Sequence, residues 1–123
     1  MIDKKTGKII CIDVGQGKRH DFRLFKTSKV RISKKVKLLA DSGYQGVKKI
    51  HPNSELPKKN SKKNPLTKEE KRANHRISSE RVIIENVIRK VKIFRIMAEK
   101  YRNRRKRFTL RLIMITAIIN YEL

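Results

Sequence analysis

The chain has 123 residues, with 34 Lys and Arg against 11 Asp and Glu and a formal charge of +23. That length allows one domain with a modest hydrophobic core. A charge of this sign and size repels itself on compaction, so a polyanionic partner is expected, and nucleic acid fits better than a small acidic metabolite. Ribosomal and histone-like proteins share the composition. A membrane-surface role is disfavoured, because no long amphipathic helix with aromatic anchors stands out. The single cysteine, Cys11, excludes an intramolecular disulfide and a zinc-finger framework. Within Ile9-Ile10-Cys11-Ile12 it reads as a small buried apolar residue. Met1 leads straight into Asp3-Lys4-Lys5, which is no secretion signal. The longest apolar run, Leu112 to Ile119, covers 8 residues and is too short to span a bilayer. A cytoplasmic, DNA-associated protein with no membrane partner is expected.

Taken in chain order, Lys8-Ile9-Ile10-Cys11-Ile12-Asp13-Val14 is rich in β-branched residues and ends at Gly15-Gln16-Gly17, which predicts a strand. Asp3-Lys4-Lys5-Thr6-Gly7 reads as a hairpin turn with Gly7 at positive φ. Only Met1 and Ile2 precede it, so no partner strand is expected on that side. His20 to Phe25 opens a short helix on which Phe22 and Phe25, three residues apart, share a face. A second strand is predicted at Val36–Ala40, running into Asp41-Ser42-Gly43-Tyr44-Gln45-Gly46. Strand, helix and strand suggest a crossover with a parallel pair. Residues 51–65 hold all three prolines and four lysines, and read as a loop that is mobile without a ligand. Thr67-Lys68-Glu69-Glu70 has the form of a capping box. A break is expected near Arg76–Ser78, with Ser78 or Ser79 as a new N-cap. A long helix then covers about Glu80 to Ala98, and a last one about Lys106 to Tyr121. There is no internal repeat.

Two acids stand out. Asp41 closes a buried strand, and strand ends in α/β sheets aim side chains into ligand-binding crevices. Capping of the following turn explains its position equally well. Glu85 lies in Arg81-Val82-Ile83-Ile84-Glu85-Asn86-Val87-Ile88-Arg89-Lys90-Val91-Lys92. At about 3.6 residues per turn, Ile84, Val87, Ile88 and Val91 form a core stripe, while Arg81, Glu85, Arg89 and Lys92 share a separate face. Periodicity alone favours a solvated face with weak i,i+4 ion pairs.

The stretch Arg81-x-x-x-Glu85-x-x-x-x-x-x-Lys92 resembles the signature around the last catalytic Glu of bacterial insertion-sequence DDE transposases, with Ser78 where that signature has Tyr. Asp41-Ser42-Gly43-Tyr44 is similar to the segment carrying the second catalytic Asp. Gly17-x-x-His20-Asp21 and Tyr101-Arg102-Asn103-Arg104-Arg105 resemble the insertion-sequence-five group. The resemblance covers nearly the whole chain. It implies an α/β, incomplete ribonuclease-H-like fold over residues 1–123, the C-terminal part of a catalytic domain. Asp41 and Glu85 are then catalytic residues and ligands of Mg²⁺ or Mn²⁺. The first catalytic Asp is expected upstream of Met1; Asp3, Asp13 and Asp21 do not match it.

In the complete enzyme that the resemblance implies, three carboxylates hold two metal ions roughly 4 Å apart for in-line attack on a phosphodiester. Arg81 and Lys92, with Arg89 beside them, would contact phosphate. The dense cluster Arg102, Arg104, Arg105, Lys106 and Arg107 adds further DNA-binding cations. The partners implied are transposon-end and target DNA, and the missing N-terminal part or a full-length transposase. The final helix, with Phe108, Leu110, Leu112, Ile113, Ile115 and Ile119, is read as core, and any face left exposed would favour self-association. His20, His51 and His75 lack metal-ligand spacing and are read as structural. Without the first Asp, this chain is expected to be inactive alone. The alternatives are a non-catalytic nucleic-acid-binding protein and a fragment that regulates transposition.

Overall fold

A computed structural model describes residues 1–15, 17–98 and 105–123. Its elements, in chain order, are α1 (Asp21–Thr27), β1 (Leu38–Leu39), α2 (Val47–Ile50), β2 (Ser54–Glu55), α3 (Lys68–Ile93), α4 (Arg95–Ala98) and α5 (Arg105–Glu122). They fall into two units, one made of Met1–Val14 with Val82–Leu123, the other of Gly15–Arg81. The chain is mixed α/β, with little strand.

Thr67 and Glu70 start α3 as the sequence predicts. Thr67 N–H donates to Glu70 Oε2 at 3.0 Å, and Glu70 N–H donates to Thr67 Oγ1 at 3.2 Å. The expected break at Arg76–Ser78 is absent, and α3 continues through it. Neither Gly nor Pro interrupts this stretch. The Ser79 hydroxyl turns back to the His75 carbonyl at 3.0 Å, so it is satisfied inside the helix and caps nothing.

In the Gly15–Arg81 unit, the parallel pairing differs from expectation. β1 pairs with β2, Leu38 opposite Ser54 and Leu39 opposite Glu55, and the crossover between them carries α2. Part of the segment read as a loop is therefore strand. Leu38 N–H donates to Asn53 O at 2.9 Å, and Ala40 N–H to Glu55 O at 3.1 Å. Val47, fully buried, fills the space under the crossover. His51 is buried and donates from Nε2 to the Val36 carbonyl at 2.7 Å, the structural role expected of it. Glu55 of β2 pairs with Lys37, next to β1, at 2.8 Å and reaches α3 through Arg76 at 2.6 Å. These cations, Lys37 first, hold its carboxyl below the ordinary range. On α3 itself, Ile77 is the buried residue of this unit.

In the other unit, the predicted strand at residues 8–14 is reduced to one antiparallel bridge, Ile2 with Ile9. Met1 and Ile2 thus supply the partner that was not expected. Gly7, at φ 71°, makes the turn as predicted. The outer backbone groups of Ile9 are held by the last helix. Ile9 N–H donates to Asn120 Oδ1, and Asn120 Nδ2 donates to Ile9 O, each at 2.8 Å. Ile9, Val87, Ile115 and Ile119 form the core, with Ile2, Ile12, Val91, Phe94 and Met97 packed against it. Ile88 was expected in this stripe but is exposed. On α5, Ile115 and Ile119 are core as predicted, whereas Leu110 and Ile113 face solvent. Apolar residues surround this helix, so one face alone can be covered by the hairpin and α3. No helix among the described residues is long and apolar enough to cross a membrane.

Candidate active site

Asp41 follows β1 directly, after Ala40. Its Oδ1 accepts from Ser42 N–H at 2.6 Å and from the Arg81 guanidinium at 3.1 Å. The first bond is local and orients the carboxylate at the strand end. The second reaches across 40 residues of chain and joins two of the residues singled out in the sequence. The Asp41 side chain remains half exposed. A surface pair of this kind contributes about 0–1 kcal/mol to stability, so its geometry matters more than its strength.

The turn after Asp41 is fixed by packing as well as by hydrogen bonds. Tyr44 N–H donates to the Asp41 carbonyl at 2.9 Å, and Val47 N–H to Tyr44 O at 3.1 Å. Gly46 has φ 91°, a conformation that an L side chain adopts only with strain. The Tyr44 ring meets Phe22 and Phe25 edge to face, with centroids 6.0 and 6.2 Å apart. Phe22 and Phe25 do share a face of α1, and that face carries the tyrosine of the Asp41 turn. Burial, then Asp21 and Asp41, push the Tyr44 phenol above its ordinary range. It stays protonated at neutral pH and acts as a buttress.

Glu85 projects from the Val82–Leu123 part of α3 and is exposed. Together with Ile88, Arg89 and Lys92 it lines an open groove of about 360 Å³. This explains the exposure of Ile88. One carboxylate here lies beside two cations and an exposed isoleucine on the same helix face. The sequence placed Glu85, Arg89 and Lys92 on one helix face, and the structure brings those three together. Arg81 is instead engaged with Asp41.

Arg107 is exposed at the start of α5. Arg102 and Arg104 lie outside the described residues, as do the side chains of Arg105 and Lys106. Among the described residues no three His, Cys, Asp or Glu side chains group as a metal site. Asp41 and Glu85 nevertheless supply hard carboxylate oxygens, the donor type that Mg²⁺ and Mn²⁺ take. Sequence reasoning missed Asn74, Asn120 and Glu55, which hold chain segments in place from a distance. A polar residue within a helix was the sole signal for Asn74 and Asn120, and neither it nor the charge of Glu55 names a partner.

Asp41 after a strand and Glu85 on a long basic helix are the two acids that the sequence singled out. A family model described as "Transposase DDE domain" matches residues 1–121. The chain is also 50% identical over 123 residues to a protein of Microchaete diplosiphon named "Probable transposase for insertion sequence element IS702". That match covers 100% of this chain and 45% of the relative, so the chain spans less than half of that protein's length. No solved structure matches. The chain belongs to the DDE transposase family.

Proposed function

We propose that this chain forms the C-terminal part of a ribonuclease-H-like catalytic domain for DNA transposition, with Asp41 and Glu85 as two of its three metal-ligand acids. The carrying observation is Asp41 at the end of β1, bound to Arg81 of the same Arg-x-x-x-Glu spacing that contains Glu85. Mg²⁺ or Mn²⁺ bound by the acids would activate the attacking hydroxyl and stabilise the leaving oxygen during phosphodiester exchange. Ser42 N–H and Arg81 keep Asp41 oriented at the strand end. Arg89 and Lys92 beside Glu85 draw a DNA phosphate toward that carboxylate. Arg102, Arg104, Arg105, Lys106 and Arg107 add sequence-independent attraction to the backbone. The chain acts in the cytoplasm on transposon-end and target DNA. The third acid would come from sequence corresponding to the part of the relative that this chain does not match.

The test is cleavage of transposon-end DNA in Mg²⁺ or Mn²⁺, by this chain alone and with the rest of the relative's sequence added in trans. No nicking is expected from the chain alone. Nicking is expected on complementation, and its loss in Asp41→Asn and in Glu85→Gln. Cleavage that survives both substitutions would refute the assignment.

A further inference from the structure

We infer that the lysine-rich segment 58–63 and the first turns of α3 form a second DNA-backbone-binding surface, separate from the Glu85 groove. The inference rests on the reading that this protein acts on DNA. Lys59, Lys62, Lys63, Lys68, Lys71 and Arg72 are all exposed, and none meets an acid among the described residues. Of the two acids in the first turn of α3, Glu70 is already used, and Glu69 sets a single negative charge among six cations. Glu70 pairs with Lys58 and receives the Thr67 N–H.

The segment is also held in a defined path. Asn74 accepts from Lys58 N–H and donates to Lys58 O, each at 2.8 Å. Ser61 Oγ accepts from Lys63 and Asn64 N–H at 3.2 Å, which turns the chain tightly between the lysine pairs. Four residues apart on α3, Glu70 and Asn74 face the segment. Lys68 and Arg72 share a different face, with Lys71 alongside. The same helix end therefore presents cations from the segment on one side and from α3 on another. Lys68 and Arg72 lie about 6 Å apart along the helix. Duplex DNA carries a charge about every 1.7 Å of axis, so such a spacing finds phosphates at many registers.

The composition selects DNA over an acidic protein. Protein interfaces carry an apolar or aromatic centre within a polar rim. Residues 58–72 contain no aromatic side chain, and their one large aliphatic residue, Leu66, is half-buried. A phosphate backbone needs no such centre, only ordered cations. Arg81 of the same unit is bound to Asp41, whereas these six cations lie close together in sequence on one segment and one helix end.

The experiment measures affinity of the full chain for an arbitrary short duplex across a salt series. It compares wild type with a segment variant (Lys59, Lys62 and Lys63→Ala) and a helix variant (Lys68, Lys71 and Arg72→Ala), each checked by circular dichroism. Each triple should lower the magnitude of the log–log salt slope by up to roughly 3 units, about one for each phosphate that is no longer neutralised. Lys→Arg replacements at the segment sites should restore it. Steep wild-type binding with slopes unchanged in both variants would overturn this inference and leave the transposase reading standing. Absence of wild-type DNA binding would overturn both. Retained DNA binding with lost affinity for poly-glutamate would assign the surface to an acidic protein and overturn it as well.

Discussion

Arg81→Gln isolates the one long-range bond that the structure gives Asp41. Arg81 stands 3.1 Å from Asp41 Oδ1, with side-chain exposures of 30% and 51%. An ion pair that exposed contributes about 0.2–1 kcal/mol, so the variant should unfold within about 1 kcal/mol of wild type. Its effect on a cation is larger. In water, a doubly charged ion and a unit charge roughly 5 Å apart repel by about 2 kcal/mol, and a difference of about 1.4 kcal/mol is tenfold in affinity. Removing the guanidinium also leaves Oδ1 with the Ser42 N–H as its partner, so one competing donor is lost. Mn²⁺ binding to the chain without DNA should therefore tighten by roughly tenfold or more, read as loss of the free-ion signal in electron paramagnetic resonance. Asp41→Asn, and the double variant Asp41→Asn with Arg81→Gln, should both bind weakly. Equal or weaker Mn²⁺ affinity in Arg81→Gln, with the fold intact, would show that Arg81 and the metal do not compete for this carboxylate.

Asn120→Ala removes both hydrogen bonds to the buried residue Ile9 and leaves its amide and carbonyl without those partners. A loss of about 2–4 kcal/mol is expected by urea denaturation, and a loss below about 0.5 kcal/mol would show that water replaces the clamp. Asn120→Asp should not rescue it, because a carboxylate can accept from Ile9 N–H but cannot donate to Ile9 O. Glu55 has its pKa lowered by Lys37 first and Arg76 second, so its stabilisation is present above the ordinary value of 4.5 and is lost as pH falls through the depressed value. Acid titration of stability should lose part of its slope below that pH in Glu55→Gln, and an unchanged profile would remove Glu55 from the acid transition.

Local chemistry was readable wherever the residues that decide a feature are neighbours in sequence. Gly7 at positive φ, the Thr67–Glu70 capping box, the shared face of Phe22 and Phe25 and the last helix were all legible this way. The spacing of Glu85, Arg89 and Lys92 predicted their common face, because a helix converts separation directly into direction. The Asp41 strand end was legible for a related reason, since an apolar run terminates at a polar turn. Two expectations failed because backbone or side-chain groups found other partners. Ser78 or Ser79 was read as a new N-cap, but the helix continues through both and the Ser79 hydroxyl finds the His75 carbonyl. Residues 51–65 were read as loop, but Ser54 and Glu55 find β1 as a partner.

What the tertiary structure alone decided is which distant groups satisfy one another. Arg81 meets Asp41 across 40 residues, Asn74 meets Lys58 across 16, and Asn120 meets Ile9 across 111. Nothing in composition or periodicity names such pairs. They arise because buried or half-buried polar groups must find partners once the apolar faces have set the chain's path. The same dependence exposes Ile88 and the outer side of α5, since periodicity marks which residues can be covered but not which neighbour covers them. The sequence by itself determined the chemistry of the acids and the basic charge around them. Folding determined that Arg81 is committed to Asp41 and that the lysines near the start of α3 are not committed to any acid described, because pairing over such separations is fixed only by the packed chain.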